Sequence, residues 1–187
     1  MKKLLFSMIL GAGLIGCGTL SAQQSNLGIN LATALPMGDA GDGYDFGVGG
    51  GLSFDYYFNQ QFDLGVEVQF INMPLKETDV SLAVIPIQLT GAYHADLTDI
   101  LEFYGELGAG FFLLNLSAGE LEDPGYFGAS PRLGLAMDLT DRLFLDFNVN
   151  YTFIASEVEA DASIDNFSAS NLTYLGFNLG LLYTVGD

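Results

Sequence analysis

The 187-residue sequence has no tryptophan, one cysteine and one histidine, and sets five lysines and arginines against 23 aspartates and glutamates. With Cys17 alone there is no internal disulfide and no candidate thiol chemistry. The shortage of cations excludes nucleic acid as a partner, because phosphate binding is carried by Lys and Arg. Lys2 and Lys3 belong to the extreme N-terminus, so only Lys76, Arg132 and Arg142 face the acidic residues of the rest of the chain. Helical periodicity is missing beyond the N-terminal run, and no low-complexity linker divides the chain into domains. Acidic chains without these features are often disordered, but half of this one is hydrophobic, with 15 Phe and 9 Tyr. That composition supports a folded domain.

The N-terminus reads "MKK" and then "LLFSMILGAGLI". A charged start followed by an apolar run of this length fits a secretory signal, and the run is too short to cross a bilayer as a helix. Cleavage after Ala22 within "TLSAQQ" is expected, giving residues 1–22 as signal peptide and 23–187 as the mature domain. The competing site is "LIGC", which resembles a lipobox and would leave a lipidated Cys17.

What the mature chain has in abundance is alternation. In "YDFGVGGGLSFDYYF", Tyr44, Phe46, Val48, Leu52, Phe54, Tyr56 and Phe58 share one parity, and Gly, Ser and Asp fill the other. "FDLGVEVQF" and "LFLDFNVNYTF" repeat the pattern. Such period-two patterning predicts strands with unlike faces. Eight segments alternate, roughly 26–36, 44–58, 62–72, 81–94, 101–116, 126–139, 143–154 and 171–185. Their connections are alternately long and short, which predicts an all-β, antiparallel, up-and-down arrangement. Most segments reach the roughly 9 to 11 residues that a tilted strand needs to cross a bilayer.

Which face meets water follows from the polar face. A soluble lipocalin-like barrel would clothe its outside in mixed charges. Here the polar face is Gly, Asn, Ser and Asp with one Arg, which suits the crowded interior of a narrow eight-stranded barrel. The apolar face is therefore expected to look outward at lipid. Tyr56, Phe58, Phe62, Tyr93, Phe103 and Tyr183 near the short turns, and Tyr44, Phe46, Phe70, Phe111, Phe127 and Phe153 near the long loops, are the expected aromatic girdles. Charge at outward mid-strand positions such as Val66 or Phe147 should then impair insertion, while serine at the inward Gly65 should be milder.

In these strands the chain resembles the small Gram-negative outer-membrane β-barrels of the OmpA-like and OmpX-like kind, over nearly all of residues 26–185. The last strand, "NLGLLYTV", is the nearest local match: Asn178, Gly180, Tyr183 and Val185 are spaced like the signal read by the barrel assembly machinery. Gly186 and Asp187 follow it, where many family members end on an aromatic. No sequence resembling the peptidoglycan-binding domain of full-length OmpA-type proteins follows. The resemblance implies an outer-membrane location with termini and short turns in the periplasm, and contact with lipid and lipopolysaccharide.

Candidate chemistry is sparse. His94, at the end of "IPIQLTGAYHA", lies inward near a short turn, and no serine can be placed beside it to complete a nucleophilic triad. The long connections are acidic (Asp39, Asp42, Asp45; Glu120, Glu122, Asp123; Glu157, Glu159, Asp161, Asp165), but their spacing is not that of a calcium loop. Cation-bridged contact with lipopolysaccharide phosphates remains open to them. On the inward parity, Glu67, Glu106 and Arg132 should lie at similar mid-barrel heights, with Asp146 somewhat lower and Asp45, Asp55, Asp63, Glu102 and Asp138 nearer the ends. One Arg among carboxylates in a narrow lumen should form charge-assisted pairs, for which its planar fork allows bidentate geometry. The expectation is a non-enzymatic barrel without cofactor, its polar lumen plugged by Arg132, Glu67, Glu106 and Asp146. It would serve envelope structure or surface interaction through its acidic loops, with an unknown extracellular ligand. A narrow cation-preferring pore is the alternative, ahead of a lipid-modifying enzyme or a soluble binding barrel.

Overall fold

The computed structural model describes residues 24–117, 125–159 and 168–186, with the backbone alone for 156–159 and 168–170. The expected signal peptide, with Cys17, and the acidic side chains at 120–123 and 157–165 lie outside the described residues. Eight strands are present: β1 (Ser25–Met37), β2 (Gly47–Asn59), β3 (Phe62–Pro74), β4 (Ser81–Thr98), β5 (Leu101–Leu116), β6 (Gly125–Thr140), β7 (Leu143–Glu159) and β8 (Ser168–Val185). Among the described residues one short helix, α1 (Asp39–Gly43), sits between β1 and β2. Each strand pairs antiparallel with its sequence neighbour, and β1 pairs with β8 to close the barrel.

The three described short connections are built alike. Two residues separate β2 from β3, β4 from β5 and β6 from β7, and the strand entering each turn ends in a side chain that caps it. Asn59 Oδ1 accepts from the backbone N–H of Gln61 (2.8 Å) and Phe62 (3.0 Å). Thr98 Oγ1 accepts from Ile100 at 3.3 Å, and Thr140 Oγ1 from Arg142 and Leu143 at 3.3 and 3.1 Å. The register slips just before each turn, at Tyr57/Asn59, Asp96/Thr98 and Asp138/Thr140. Short polar side chains that satisfy turn amides, combined with a bulge, redirect the chain within two residues.

Two strand-interior prolines leave marks in the ladder, since proline has no N–H to donate. The β3–β4 register is interrupted between Val68↔Ile87 and Ile71↔Val84, around Pro86, and the β6–β7 register between Ala129↔Phe153 and Arg132↔Asn150, around Pro131. At the β1–β8 seam a side chain repairs a similar interruption: Thr33 Oγ1 donates to Phe177 O (2.8 Å) and accepts from Phe177 N–H (3.0 Å).

The outer wall is apolar. Leu31, Leu89 and Leu133 are 68, 70 and 61 % exposed, and large hydrophobic side chains face outward on every strand. A continuous apolar wall on this scale is far beyond what water-soluble monomers expose. It belongs in hydrocarbon.

Two expectations are corrected on the inner side. Tyr44 is not a girdle residue: β2 begins at Gly47, and Tyr44 bridges to Leu75 and is buried, 3 % exposed, over the long-loop end of the lumen. Burial pushes its phenol up to about 12, so it stays neutral at ordinary pH. The lumen, moreover, is not polar throughout. Toward the long loops the inward positions are Ala32, Ala34, Ile71, Met73, Leu82, Val84, Phe112, Leu114, Ile154, Leu172 and Tyr174, which form one buried cluster with Ala40, Tyr44 and Leu75. The first loop folds over that end and is tied to the second by Asp45 N–H to Pro74 O, Lys76 N–H to Gly43 O, and Lys76 Nζ to Gly41 O (2.8, 3.0 and 2.5 Å).

The inward Gly65 also departs from expectation. A Cβ there would lie 2.3 Å from Asp55 Oδ1 and 2.9 Å from the backbone oxygen of Phe54, so serine is not a mild change and Val66→Leu is the better control. Val66→Arg should cost roughly 2 to 4 kcal/mol at the bilayer midplane, read from urea-dependent folding into liposomes, while Val66→Leu should fold like wild type. Equal folding of the arginine variant would reverse inside and outside.

Candidate functional site

The lumen holds three layers. In the middle layer, β5 and β6 put Glu106 directly opposite Arg132, and β3 brings Glu67 across the interior. Arg132 Nη1 and Nη2 donate to Glu67 Oε2 and Oε1 at 2.6 and 2.9 Å, a bidentate pair. Arg132 Nη1 is also 3.0 Å from Glu106 Oε1, but that oxygen accepts no hydrogen bond in this geometry, and Arg132 Nε has no partner either. Glu106 is therefore held by charge and Glu67 by charge and direction. With side chains 7 and 2 % exposed, Arg132 and Glu67 are a buried pair whose attraction is little screened.

Asp146 stands apart from this cluster. It accepts from Tyr104 Oη and Asn148 Nδ2, both at 2.7 Å, and forms no ion pair with Arg132 among the described contacts. Tyr104 reaches it because its partner residue across β5–β6 is Gly134, where a Cβ would fall 2.2 Å from the phenol ring. From Asp146 a belt of hydrogen bonds runs round the wall. Asn178 Nδ2 donates to Asn148 Oδ1 and Asn150 Oδ1 (2.7 and 3.0 Å), Asn150 Nδ2 to Thr152 Oγ1 (2.8 Å), and Gln88 Nε2 to Ser130 Oγ (3.0 Å), with Ser130 and Thr152 hydroxyls 2.9 Å apart. The other residues singled out on β8 divide by face: Asn178 and Gly180 point inward, whereas Tyr183 and Val185 are exposed on the outer wall.

At the short-turn end, His94 is more than a polar residue near a turn. Its Nε2 meets Asp63 Oδ2, and its Nδ1 lies 2.5 Å from Glu102 Oε1. Tyr104 stacks on the ring at 5.4 Å and Tyr57 tilts against it at 5.2 Å. Sequence reasoning placed all three ionisable residues inward near the short turns without joining them. The bulge before each turn shifts the register by one residue, so counting heights from the turns misaligns neighbouring strands. Among the described residues no group of three or more His, Cys, Asp or Glu is placed to hold a metal ion; here the imidazole stands between the carboxylates.

Above the polar layers lies the apolar layer, with Phe112, Leu82, Val84 and Ile154 fully buried. The described lumen is thus filled by side chains from the short turns to the long loops.

A model of the outer membrane protein beta-barrel domain matches residues 9–184. The chain belongs to this family. Its solved structural neighbours include the outer membrane protein OprG of Pseudomonas aeruginosa (TM-score 0.65, 14 % identity, 89 % of this chain and 97 % of that one). They also include the attachment invasion locus protein Ail of Yersinia pestis (0.57, 18 %, 87 and 98 %) and the Neisserial surface protein NspA (0.60, 16 %, 86 and 96 %). At these identities the likeness is one of fold. No curated protein sequence matches the chain.

In this outer-membrane barrel, removing the central cation should cost most. Arg132→Ala leaves two buried carboxylates facing each other and is expected to destabilise by about 3 to 5 kcal/mol, measured by urea unfolding in detergent. Glu67→Gln should cost clearly more than Glu106→Gln, because only Glu67 is gripped bidentately. Equal losses would show that direction contributes nothing beyond charge.

Proposed function

We propose that this protein is a closed, non-enzymatic barrel of the outer membrane that serves envelope structure and surface interaction, not conduction. The observation that carries the reading is the filling of the lumen: an ion-paired polar section continues into a fully buried apolar one, under a folded first loop. An apolar layer gives a hydrated cation nothing to exchange its water for, which argues against the pore. Both ring nitrogens of His94 are directed at carboxylates, so neither is placed to activate a hydroxyl. That supports a barrel without catalysis.

By resemblance, the termini and short turns face the periplasm and the long loops face outward. Asn178, Gly180, Tyr183 and Val185 then serve recognition by the assembly machinery, and the outer wall meets lipid and lipopolysaccharide. The outward connections combine Asp39, Asp42, Asp45, Glu77 and Asp79 with a single cation, Lys76. Ail of Yersinia pestis has been crystallised with the heparin analogue sucrose octasulfate. A polyanion of that type is repelled by loops of this sign, so the surface partner fitted here is cationic, or is bridged to the loops by divalent cations.

Conductance in planar bilayers tests the central reading. Wild type should show little steady conductance, and Arg132→Ala should gain at most a small cation-preferring one. Large, steady wild-type conductance that Arg132→Ala leaves unchanged would make the protein a pore. Orientation is tested separately by proteolysis of intact cells: cleavage should fall in the long connections and spare Arg142 on the short "TDR" turn.

A further inference from the structure

The filled lumen contains a second cation site that the Arg132 cluster does not need. We infer that His94, held as an imidazolium between Asp63 and Glu102, is a proton-operated seal at the short-turn end of the barrel. The inference rests on the reading of a closed lumen. Each ring nitrogen lies against a carboxylate oxygen, and a carboxylate can only accept, so two such contacts require two protons on the group they share. A neutral ring supplies one. The remaining carboxylate would then face a bare nitrogen lone pair, and the triad would change from one net negative charge to two inside a narrow wall.

The surroundings hold the ring in place for this role. Tyr57 of β2 and Tyr104 of β5 lie against it, and its own backbone N–H donates to Gln61 O at 2.8 Å. Tyr57 Oη is reached by Asn26 of β1, which accepts from Thr184 of β8, while Tyr104 is committed to Asp146 of β7. From β6 the residue beneath Tyr104 is Gly134, without charge. Asp96 of β4 stands directly across from Glu102 on β5, and Asp55 of β2, hydrogen-bonded by Ser53 at 3.2 Å, and the Arg132 cluster are further charges along the lumen. The guanidinium of Arg132 keeps its proton at any ordinary pH, so loss of one proton at His94 loosens the short-turn end and leaves the middle layer shut. The seal is in place while the imidazolium faces two ionised carboxylates. It is lost as rising pH removes the ring proton.

His94 is the only histidine, so an untagged chain labelled with nitrogen-15 histidine reports a single ring. In detergent micelles at pH 7 both ring nitrogens should give signals of protonated nitrogen. As pH rises to about 9.5, below the ordinary range of tyrosine, one proton should leave and the urea midpoint should fall with it. His94→Gln should lack that pH-linked fall. A bare ring nitrogen at pH 7 would overturn the inference, as would an equal alkaline fall in His94→Gln. A ring that keeps both protons to pH 9.5 would make the triad a permanent bolt and would also overturn it. Failure of the closed-lumen reading would show instead as steady wild-type conductance, whatever the state of His94.

Discussion

Everything in this barrel depends on one requirement: in hydrocarbon, a backbone N–H or C=O finds no water, so each must be paired within the wall. A sheet can meet that demand only by closing on itself, and here β1 meets β8 to do so. Closure with eight strands sets a narrow radius. The radius in turn decides what inward positions can hold. Glycine lies under Tyr104 because nothing larger fits, and the buried Arg132 sits where Glu67 reaches it across the interior.

The two kinds of filling support each other. A polar interior is costly unless its members satisfy one another, and the asparagine belt with Asp146 and Tyr104 goes far toward doing so. The apolar layer makes no such demand. By keeping water from the long-loop side of Arg132, it lowers the local dielectric and strengthens the pairing with Glu67. The same dryness makes that cluster intolerant of losing a partner.

Much of this was legible in the sequence because a strand repeats every two residues and lipid leaves no ambiguity about the outward half of the pattern. Strand number, direction and the outward face follow from stretches such as Phe62–Phe70 and Leu143–Phe153. The meeting of Arg132 with Glu67 and Glu106 follows from equal heights on the inward parity. The apolar layer was hidden for a physical reason: at the long-loop ends both faces are hydrophobic, as in Ile71 and Met73 or Phe112 and Leu114, so alternation disappears where it is needed. Tyr44 was misread because one parity extends back beyond the start of β2 into a loop that folds inward. His94 was isolated from Asp63 and Glu102 because the turn bulges are invisible to counting.

The β1–β8 seam has a kinetic meaning. Seven of the eight strand pairings join sequence neighbours and can form as local hairpins, but the eighth joins Ser25 to Val185 across the length of the domain. Its chain-closure entropy can be recovered only once the intervening strands have shortened the path between its partners. The seam is therefore the step that commits the chain. Until it forms, both of its strands present open edges that could capture the wrong partner. At Thr33 the closing edge offers Phe177 a hydroxyl that both donates and accepts, a contact that forms only when the two strands meet in the native alignment.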